Sequence, residues 1–322
     1  MFETVKRRLA TAAACLLALC CMAAPATAET FPDRPITLIM PFGAGNAPDT
    51  LARILGEYLQ NKHGITLLVT SKAGGSGIPA MVELSRARPD GYTISLTSAN
   101  VLTVVPQVKP CGFTYESFTP IAQISEFTMG WGVLPASGIT SLADLMEKAK
   151  AAPDKYSLGS PGALTAQRFF HMQLMKHFPD SNVPYVAYNG GGELVTALLG
   201  GHIPVANFLP HKDAIRVIAV SSAKRDAYYP DAPTFVEQVD KNLVFDSVYG
   251  IVGPRRIPAD RVERLQELFK EALADPGVQA KLQQVYIRPS YLPGAEFGKV
   301  LKQYSDFFAA PIRQYKEEKG AQ

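Results

Sequence analysis

The segment IMPFGAGNAPDTLARIL, from Ile39 to Leu55, joins a strand pattern to a helix pattern through a short glycine-containing turn. The apolar run from Ile36 to Phe42 predicts a buried strand, and apolar residues at helical spacing predict a helix from Pro48 to Gln60. Gly43 and Gly45 allow a tight turn between the two. The first N–H groups of a helix are unpaired and its dipole is positive there, so such a turn favours an anion.

A dinucleotide-binding loop begins in the same way, but the next residues oppose that interpretation. Pro48 stands at the last position of the Gly-x-Gly-x-x-Gly fingerprint, and Thr70, Ser71 and Lys72 stand where an acidic residue should end the second strand. An export signal, described below, is also unexpected for a protein that uses a nicotinamide cofactor. We therefore expect an anion other than a nucleotide, and no cofactor. We interpret Asp49, with Arg53 one turn later, as structural.

The sequence of strand, small-residue turn and helix recurs along the chain. Further strands are predicted at Thr66 to Thr70, Tyr92 to Thr97, Tyr156 to Leu158, Val183 to Ala187 and Ile215 to Val220, and an extended segment at Ile121 to Leu134. Further helices are predicted from about Pro79 to Ala87, from Ser141 to Ala151, between Gly162 and about His177, between Gly192 and Gly200, from Asp260 to Ala274 and from Glu296 to Lys316. This alternation predicts an α/β fold with mainly parallel sheets.

In open α/β sheets, ligands bind in the crevice outside the carboxyl ends of the parallel strands, where the turns that follow different strands converge. Besides the first turn, the turns at Gly74 to Gly77, Ser160 to Thr165 and Gly190 to Gly192 have this position. Ser98 and Asn100, after the strand Tyr92 to Thr97, could add polar groups. We expect the ligand to bind among these turns.

The N-terminus has the features of a Sec-type signal peptide at residues 1–28. Basic residues at 6–8 precede an apolar run at 9–24 and the small-x-small site Ala26-Thr27-Ala28. Lipidation at Cys20 or Cys21 is the alternative, although Leu19 fits a lipobox poorly. We expect cleavage after Ala28 and a periplasmic location.

Charge and cysteine content narrow the function classes. The net charge of +3 falls to about +1 after cleavage, which argues against nucleic-acid binding. Cys111 is the only cysteine after Ala28, so no intramolecular disulfide can form.

Catalytic motifs are incomplete in this chain. Gly-x-Ser-x-Gly is absent, and Ser221-Ser222-Ala223-Lys224 matches Ser-x-x-Lys without the companion motifs of a penicillin-recognising site. We interpret this segment as a strand end that enters a solvated loop. The five histidines show no metal-ligand spacing. We therefore expect no catalytic residue, no metal site and no enzyme, with an exported hydrolase as the least supported alternative.

Several motifs in one order resemble a known family. Their sequences are Phe31 to Ile36 (FPDRPI), Pro41-Phe42 with Asp49 to Arg53 (DTLAR), Pro89 to Thr93 (PDGYT), and Gly190 to Gly192 with Leu198 to Gly201. In this order they resemble the extracytoplasmic solute receptors of tripartite tricarboxylate transporters, the Bug family. The resemblance covers essentially the whole chain after the signal peptide.

The resemblance implies a type II-like periplasmic binding protein that closes two lobes on a small carboxylate, usually a dicarboxylate. Lobe 1 would comprise residues 29–127 and 245–322, and lobe 2 residues 128–244. The receptor would be a monomer that delivers its ligand to membrane transporter subunits, while a periplasmic sensor that signals to a partner remains an alternative. By position, the ligand-binding residues would be Phe42, Gly43, Ala44, Gly45, Asn46, Ala47, Ser98, Ser160, Gly162, Ala163, Leu164, Thr165, Tyr188, Gly190 and Asn207.

Two departures from the family concern the ligand. The family usually has Pro-Pro-Gly-Gly where this chain has Gly43-Ala44-Gly45-Asn46. It also usually has an acid near Asn207 or Phe208, and the stretch 203–214 is shorter here. An acid there would suit a ligand amine, so its loss disfavours an amino acid as ligand. Trp131 is interpreted as a core residue, with a place in the ligand pocket as the alternative.

Overall fold

The computed structural model describes residues 31–188, 190–207 and 214–320. The expected signal peptide and Phe208 therefore lie outside the described residues. From Arg34 onward the chain belongs to one compact unit, and the fold is that of this unit. No helix in the described ranges is long and apolar enough to cross a membrane.

Strands and helices alternate along most of the chain. The first half contains β1 (Ile36–Met40), α1 (Ala47–His63), β2 (Leu67–Ser71), α2 (Ile78–Ser85), β3 (Thr93–Ser98), α3 (Ala99–Val108), β4 (Phe118–Thr128), β5 (Gly130–Val133), α4 (Leu142–Ala151) and β6 (Leu158–Ser160). The second half contains α5 (Ala166–Met175), β7 (Tyr185–Ala187), α6 (Gly191–Leu199), β8 (Val205–Ala206), β9 (Arg216–Val220), α7 (Phe235–Gln238), β10 (Asp246–Pro254), α8 (Ala259–Ala274), α9 (Pro276–Gln284), β11 (Arg288–Pro293) and α10 (Gly294–Gly320).

The strands form two sheets, the first from two separate parts of the chain and the second from the part between them. One sheet has the order β11-β4-β10-β3-β1-β2, and the other has the order β7-β6-β8-β5-β9. The predicted α/β architecture is therefore present. The expectation of mainly parallel sheets is corrected, because both sheets are mixed. Among the named strands, parallel pairing is found between β1 and its neighbours β2 and β3, and between β6 and its neighbours β7 and β8. Helices connect these strands in the βα units, as parallel pairing requires.

The antiparallel part of the first sheet arises where the chain returns from the second sheet. Strand β10 enters between β3 and β4 and runs antiparallel to both. The predicted extended segment from Ile121 to Leu134 is real but divided, because β4 belongs to the first sheet and β5 to the second. Met129 lies at this division.

Helix α1 forms for the local reasons that the sequence indicated. Asn46 is its N-cap and accepts a hydrogen bond from the N–H of Asp49, and Pro48 lies in the first turn. Gly64 ends the helix in the left-handed conformation. The apolar positions, among them Leu51 and Leu55, are buried.

Helix α3 was absent from the sequence prediction. Its sequence, ANVLTVVPQV, is apolar on nearly every side and rich in β-branched residues, so it lacks the polar face that gives a helical period. Six of its ten residues are buried, from Ala99 to Val105. Packing on both sides, rather than local propensity, determines this helix.

Three segments cross side by side between the two sheets. Ser221 donates its N–H to the carbonyl of Met129 at 2.8 Å, and its hydroxyl accepts from the N–H of Met129 at 3.1 Å. The carbonyl of Ser221 accepts from the N–H of Phe245 at 2.8 Å. Ser221 is therefore buried in this crossing rather than in a solvated loop, and its hydroxyl is already engaged.

Candidate ligand-binding site

Each sheet has one point where the strand order reverses. In the first sheet, the chain goes from β1 to β2 on one side and then to β3 on the other side. In the second sheet, it goes from β6 to β7 and then to β8 on the other side. Ligands of open α/β sheets bind outside the carboxyl ends of the strands at such switch points. The turns after β1, β3 and β6, together with Asn207 directly after β8, are therefore the candidate site.

The turn after β1 carries the predicted residues Phe42 to Ala47. Gly45 has a positive φ of 79°, which explains why glycine stands there. Its N–H donates to the Asp49 carboxylate at 2.9 Å, so this donor is not available to a ligand. Ala44 is exposed and Asn46 and Ala47 are half-buried. In the described chain, no protein acceptor is recorded for the N–H groups of these three residues.

Asp49 is a structural residue, as the sequence indicated. It is buried, and the same oxygen that binds Gly45 also accepts from Arg53 Nε at 3.0 Å. The hydrogen bond from Arg53 holds the pKa of the Asp49 carboxyl below its usual range, in spite of burial. The carboxylate is therefore charged, and its Oδ2 atom fixes the shape of the turn, whereas its buried Oδ1 atom has no hydrogen-bond partner among the described residues.

Aromatic residues line the first-sheet side beside Ser98. Strand β10 places Tyr249 opposite Ser98, and the Tyr249 ring lies 5.6 Å from the ring of Phe42 and 5.0 Å from that of Phe127. Burial raises the pKa of the Tyr249 hydroxyl to about 12, so it stays protonated. Ser98 caps α3 by accepting from the N–H of Val101 at 3.4 Å. Ser98 therefore acts first as a helix cap.

The second sheet brings three predicted residues together at its switch point. The N–H of Tyr188 donates to the carbonyl of Ser160 at 2.8 Å, and the N–H of Asn207 donates to the carbonyl of Gly159 at 2.9 Å. Gly159 is required between them, because a Cβ there would lie 2.4 Å from Leu194 Cδ1 and 3.1 Å from Tyr188 Cε2. Ser160 and Asn207 are both buried.

The turn from Ser160 to the start of α5 is held by Tyr185. The Tyr185 hydroxyl donates to the carbonyl of Gly162 at 2.8 Å and lies 2.9 Å from the hydroxyl of Thr165. Thr165 is the N-cap residue of α5, but its side chain makes no capping hydrogen bond. The guanidinium of Arg168 lies over the rings of Tyr185 and Tyr315, at 5.0 and 4.9 Å. This cation adds positive potential one turn into α5.

The two switch points meet in one hydrogen bond. The N–H of Ala166, the first residue of α5, donates to the side-chain Oδ1 of Asn100 at 2.7 Å. Asn100 lies in the first turn of α3, directly after β3. The N-terminus of a helix on the second sheet therefore faces the carboxyl edge of the first sheet.

Asn207 has an unusual environment for an amide. Its side chain is only 2% exposed, and neither its nitrogen nor its oxygen has a hydrogen-bond partner among the described residues. It lines a cavity of about 10 Å³ together with Gln167, Ser221 and Trp131. Such a cavity has room for about one water molecule. Trp131 is 2% exposed and packs against Phe235, as expected for a core residue, and it also borders this cavity.

The remaining predicted residues are less connected. No hydrogen bond in the described part of the chain joins Ala163, Leu164 or Gly190 to the other residues of the site. Gly190 caps α6, with a φ of 138° that favours glycine. Tyr249, Tyr185 and Gln167 were missed by the sequence analysis. Tyr249 lies on β10 far along the chain, and no local pattern could have assigned it to the site.

Two α/β sheets whose helix N-termini meet at paired switch points define the class of two-lobed periplasmic binding proteins. A structure of the periplasmic binding protein BugD shares this fold, with a TM-score of 0.77 and 25% identity over 88% of this chain and 98% of that chain. A Rhodopseudomonas palustris protein solved with adipate also shares it, with a TM-score of 0.79 and 22% identity over 88% of this chain and 98% of that one.

Sequence comparison assigns the family. The model of the tripartite tricarboxylate transporter family receptor matches residues 51–307. A UPF0065 protein from the gbd 5' region of Cupriavidus necator is 28% identical over 314 residues, which is 95% of this chain and 92% of that protein. The chain therefore belongs to the tripartite tricarboxylate transporter receptor family, whose solved members are periplasmic solute-binding proteins.

Proposed function

We propose that the protein captures a small dicarboxylate in the periplasm and delivers it to the membrane subunits of a tripartite tricarboxylate transporter. The observation that carries the proposal is the contact between the two switch points, where α5 directs its first N–H to Asn100 in the first turn of α3. At the first switch point, the turn at the N-terminus of α1 has N–H groups without a protein acceptor among the described residues. Each terminus favours one carboxylate, so a ligand with two carboxylates would bridge them.

The site residues of this proposal are those with donors that face the switch points. Ala44, Asn46 and Ala47 would bind one carboxylate through their N–H groups, with Phe42 and Ser98 beside it. The turn from Ser160 through Gly162, Ala163 and Leu164 to Thr165 would bind the other, with Tyr188, Gly190 and Asn207 bordering it. Gly43 and Gly45 would contribute the shape of the first turn. The R. palustris protein of the same fold was solved with adipate, which is a dicarboxylate.

We further propose lobe 1 at residues 29–127 and 245–322 and lobe 2 at residues 128–244. The crossing at Met129, Ser221 and Phe245 would be the hinge, since it joins the two sheets through three adjacent segments. A ligand that contacts both lobes stabilises the closed form by its higher affinity for that form. The exported form would begin after the signal peptide 1–28 and act as a monomer.

A binding role rather than catalysis is supported by Ser221 and by the environment of Asn207. The Ser221 hydroxyl of the Ser-x-x-Lys match accepts the N–H of Met129 inside the hinge, so it is not placed as a nucleophile. Asn207 offers a buried amide that has no hydrogen-bond partner among the described residues and would serve as a binding group.

The proposal is tested by a thermal-shift screen on protein that has been unfolded and refolded to remove carried-over ligand. The panel contains acetate, malate, adipate, phthalate, glutamate and ATP. A ligand at 100 times its dissociation constant stabilises by about 2.7 kcal/mol, a shift of several degrees for this size. We expect a shift with at least one dicarboxylate and none with ATP. Absence of a shift with every carboxylate, or consumption of a panel compound, would contradict the proposal.

A further inference from the structure

The N-terminus of α5 lacks the cap that its own sequence could provide. Thr165 stands at the N-cap position, and threonine commonly accepts a hydrogen bond from the second or third helical N–H. Here the Thr165 hydroxyl lies 2.9 Å from the Tyr185 hydroxyl instead. An N-cap side chain does not reach the first helical N–H, which is that of Ala166, so this donor binds an acceptor from elsewhere in the molecule.

The acceptor is supplied by the opposite side of the cleft. The Oδ1 atom of Asn100 lies 2.7 Å from the N atom of Ala166, and the two residues are 66 positions apart in the chain. Asn100 is half-buried, whereas Ala166 is fully buried. An amide oxygen thus occupies the position at which a ligand carboxylate oxygen would cap α5.

We propose that Asn100 is an intramolecular competitor of the ligand, an autoinhibitory cap that closes the α5 anion site in the empty protein. This inference rests on the proposed function, because it takes the N-terminus of α5 to be a carboxylate site. The ligand enters by replacing the neutral oxygen of Asn100 with a charged one. Hydrogen bonds to a carboxylate are roughly twice as strong as those between neutral groups, so the replacement is favourable.

The cap also sets the apparent affinity. If the site is accessible in only a fraction of the molecules, the apparent Kd equals the intrinsic Kd divided by that fraction. The Asn100 bond lowers the accessible fraction, and its removal raises it. A residue that contacts the ligand directly would have the opposite effect, because its removal would weaken binding.

The rest of the packing around α5 keeps the helix in place without Asn100. Phe169 packs against Tyr315 with ring centroids 5.7 Å apart and against Phe308 at 6.5 Å, both on α10. Phe170 packs against Phe235 at 5.1 Å. Loss of one hydrogen bond should therefore open the anion site without unfolding the protein.

The first test uses ligand-free protein and measures the hydrogen exchange of the Ala166 amide by NMR in N100A and N100D. We expect N100A to accelerate this exchange at least tenfold. N100D should slow it, because the isosteric carboxylate is a stronger acceptor at a helix N-terminus. The matched control is Q107A. Gln107 lies on the same helix and donates a hydrogen bond of 3.0 Å to the Ser305 hydroxyl on α10, and in the described chain it makes no hydrogen bond to α5. Unchanged exchange of Ala166 in N100A would overturn the proposal.

The second test measures adipate binding to the same variants by calorimetry. N100A should bind adipate at least threefold more tightly than the wild type, N100D at least tenfold more weakly, and Q107A equally well. Weaker binding by N100A would overturn the proposal and make Asn100 a ligand contact. If no variant and no wild-type protein binds a carboxylate, the proposed function fails, whereas the exchange of Ala166 still decides whether Asn100 is the cap.

Discussion

The carboxylate of Asp49 accepts a hydrogen bond from the N–H of Gly45 at 2.9 Å, so the first turn of α1 braces the turn that precedes it. The side chain of Asn46 accepts in return from the N–H of Asp49 at 3.0 Å. These two bonds form a reciprocal cap of the kind that fixes a helix start. Together the two hydrogen bonds fix the conformation of the turn, and with it the directions of the N–H groups in the turn.

The role of the Asp49 carboxylate in holding the turn can be tested with two substitutions at Asp49. Asp49→Ala removes the Gly45 bond and should cost about 1–2 kcal/mol of stability, the usual value of a cap. Ligand affinity should fall as well, because the turn loses its shape. Asp49→Asn keeps an oxygen acceptor for Gly45 and should retain most of the affinity. Thermal unfolding and calorimetry with the best carboxylate of the panel measure both effects; equal loss of affinity in both variants would contradict the assignment.

Ala47→Pro tests the donors of this turn directly. Ala47 is the first helical residue, where proline is well tolerated, so the variant removes one N–H and leaves the Asn46 cap intact. We expect an unchanged melting temperature for the empty protein and a loss of affinity of about tenfold or more, as for one lost bond to a carboxylate. Ala47→Gly, which retains the N–H, is the control. Full affinity in Ala47→Pro would remove this N–H from the site.

Asn207→Leu should separate stability from binding. The substitution removes a buried amide that has no partner in the described part of the chain, a condition that costs about 1–3 kcal/mol, and the side-chain volume changes little. The empty protein should therefore melt at a higher temperature, while the ligand-induced shift becomes small. The backbone bond from Asn207 to Gly159 is unaffected. A lower melting temperature with normal binding would show that the amide is satisfied and structural.

Gly159→Ala and Gly192→Ala form a matched pair. The new Cβ at 159 would lie 2.4 Å from Leu194 Cδ1, so overpacking should cost about 1–3 kcal/mol. It would also press on Tyr188, which borders the site. At 192 nothing lies within 4 Å of the new Cβ, and alanine favours the helix. Chemical denaturation should show destabilisation only at 159; equal stabilities would indicate that the second switch point relaxes freely.

Asp246, which follows the crossing residue Phe245, should make the stability of the protein depend on pH. Burial raises the pKa of this carboxyl from 3.8 to about 6, although Arg288 acts in the opposite direction. Asp226 and Glu126 add repulsion. The folded state thus binds the proton more tightly than the unfolded state. Stability contributed by this group is present below about pH 4 and is lost as the pH rises through about 6.

Asp246→Asn should abolish this dependence. Relative to the wild type, the variant should gain stability between pH 4 and pH 7, by at most about 3 kcal/mol. Urea unfolding at a series of pH values measures the difference. The control is Asp306→Asn, because Asp306 is exposed and pairs only with Lys302 in the described chain. A constant difference across this pH range would mean that Asp246 titrates normally.

The short local units of this protein could be predicted from residue order alone. Glycines at 43 and 45, Asn46 as N-cap and Pro48 in the first turn act within a few residues of one another, so the helix start and the turn before it could be predicted from their order. The turn from Ser160 to Thr165 was predicted for the same reason. Helix α3 could not be predicted, because its apolar residues are buried on nearly all sides and leave no period.

The way these units combine depends on contacts between distant segments, which local residue order does not encode. Strand pairing is a contact between distant segments, so the mixed sheets, with β10 antiparallel between β3 and β4, leave no trace in local periodicity. The same holds for the Asn100–Ala166 bond across 66 residues, for Tyr249 beside Phe42, and for the burial of Ser221 in the crossing between the sheets. Local hydrogen bonds form the turns and caps, whereas the packing of two sheets places them on one cleft.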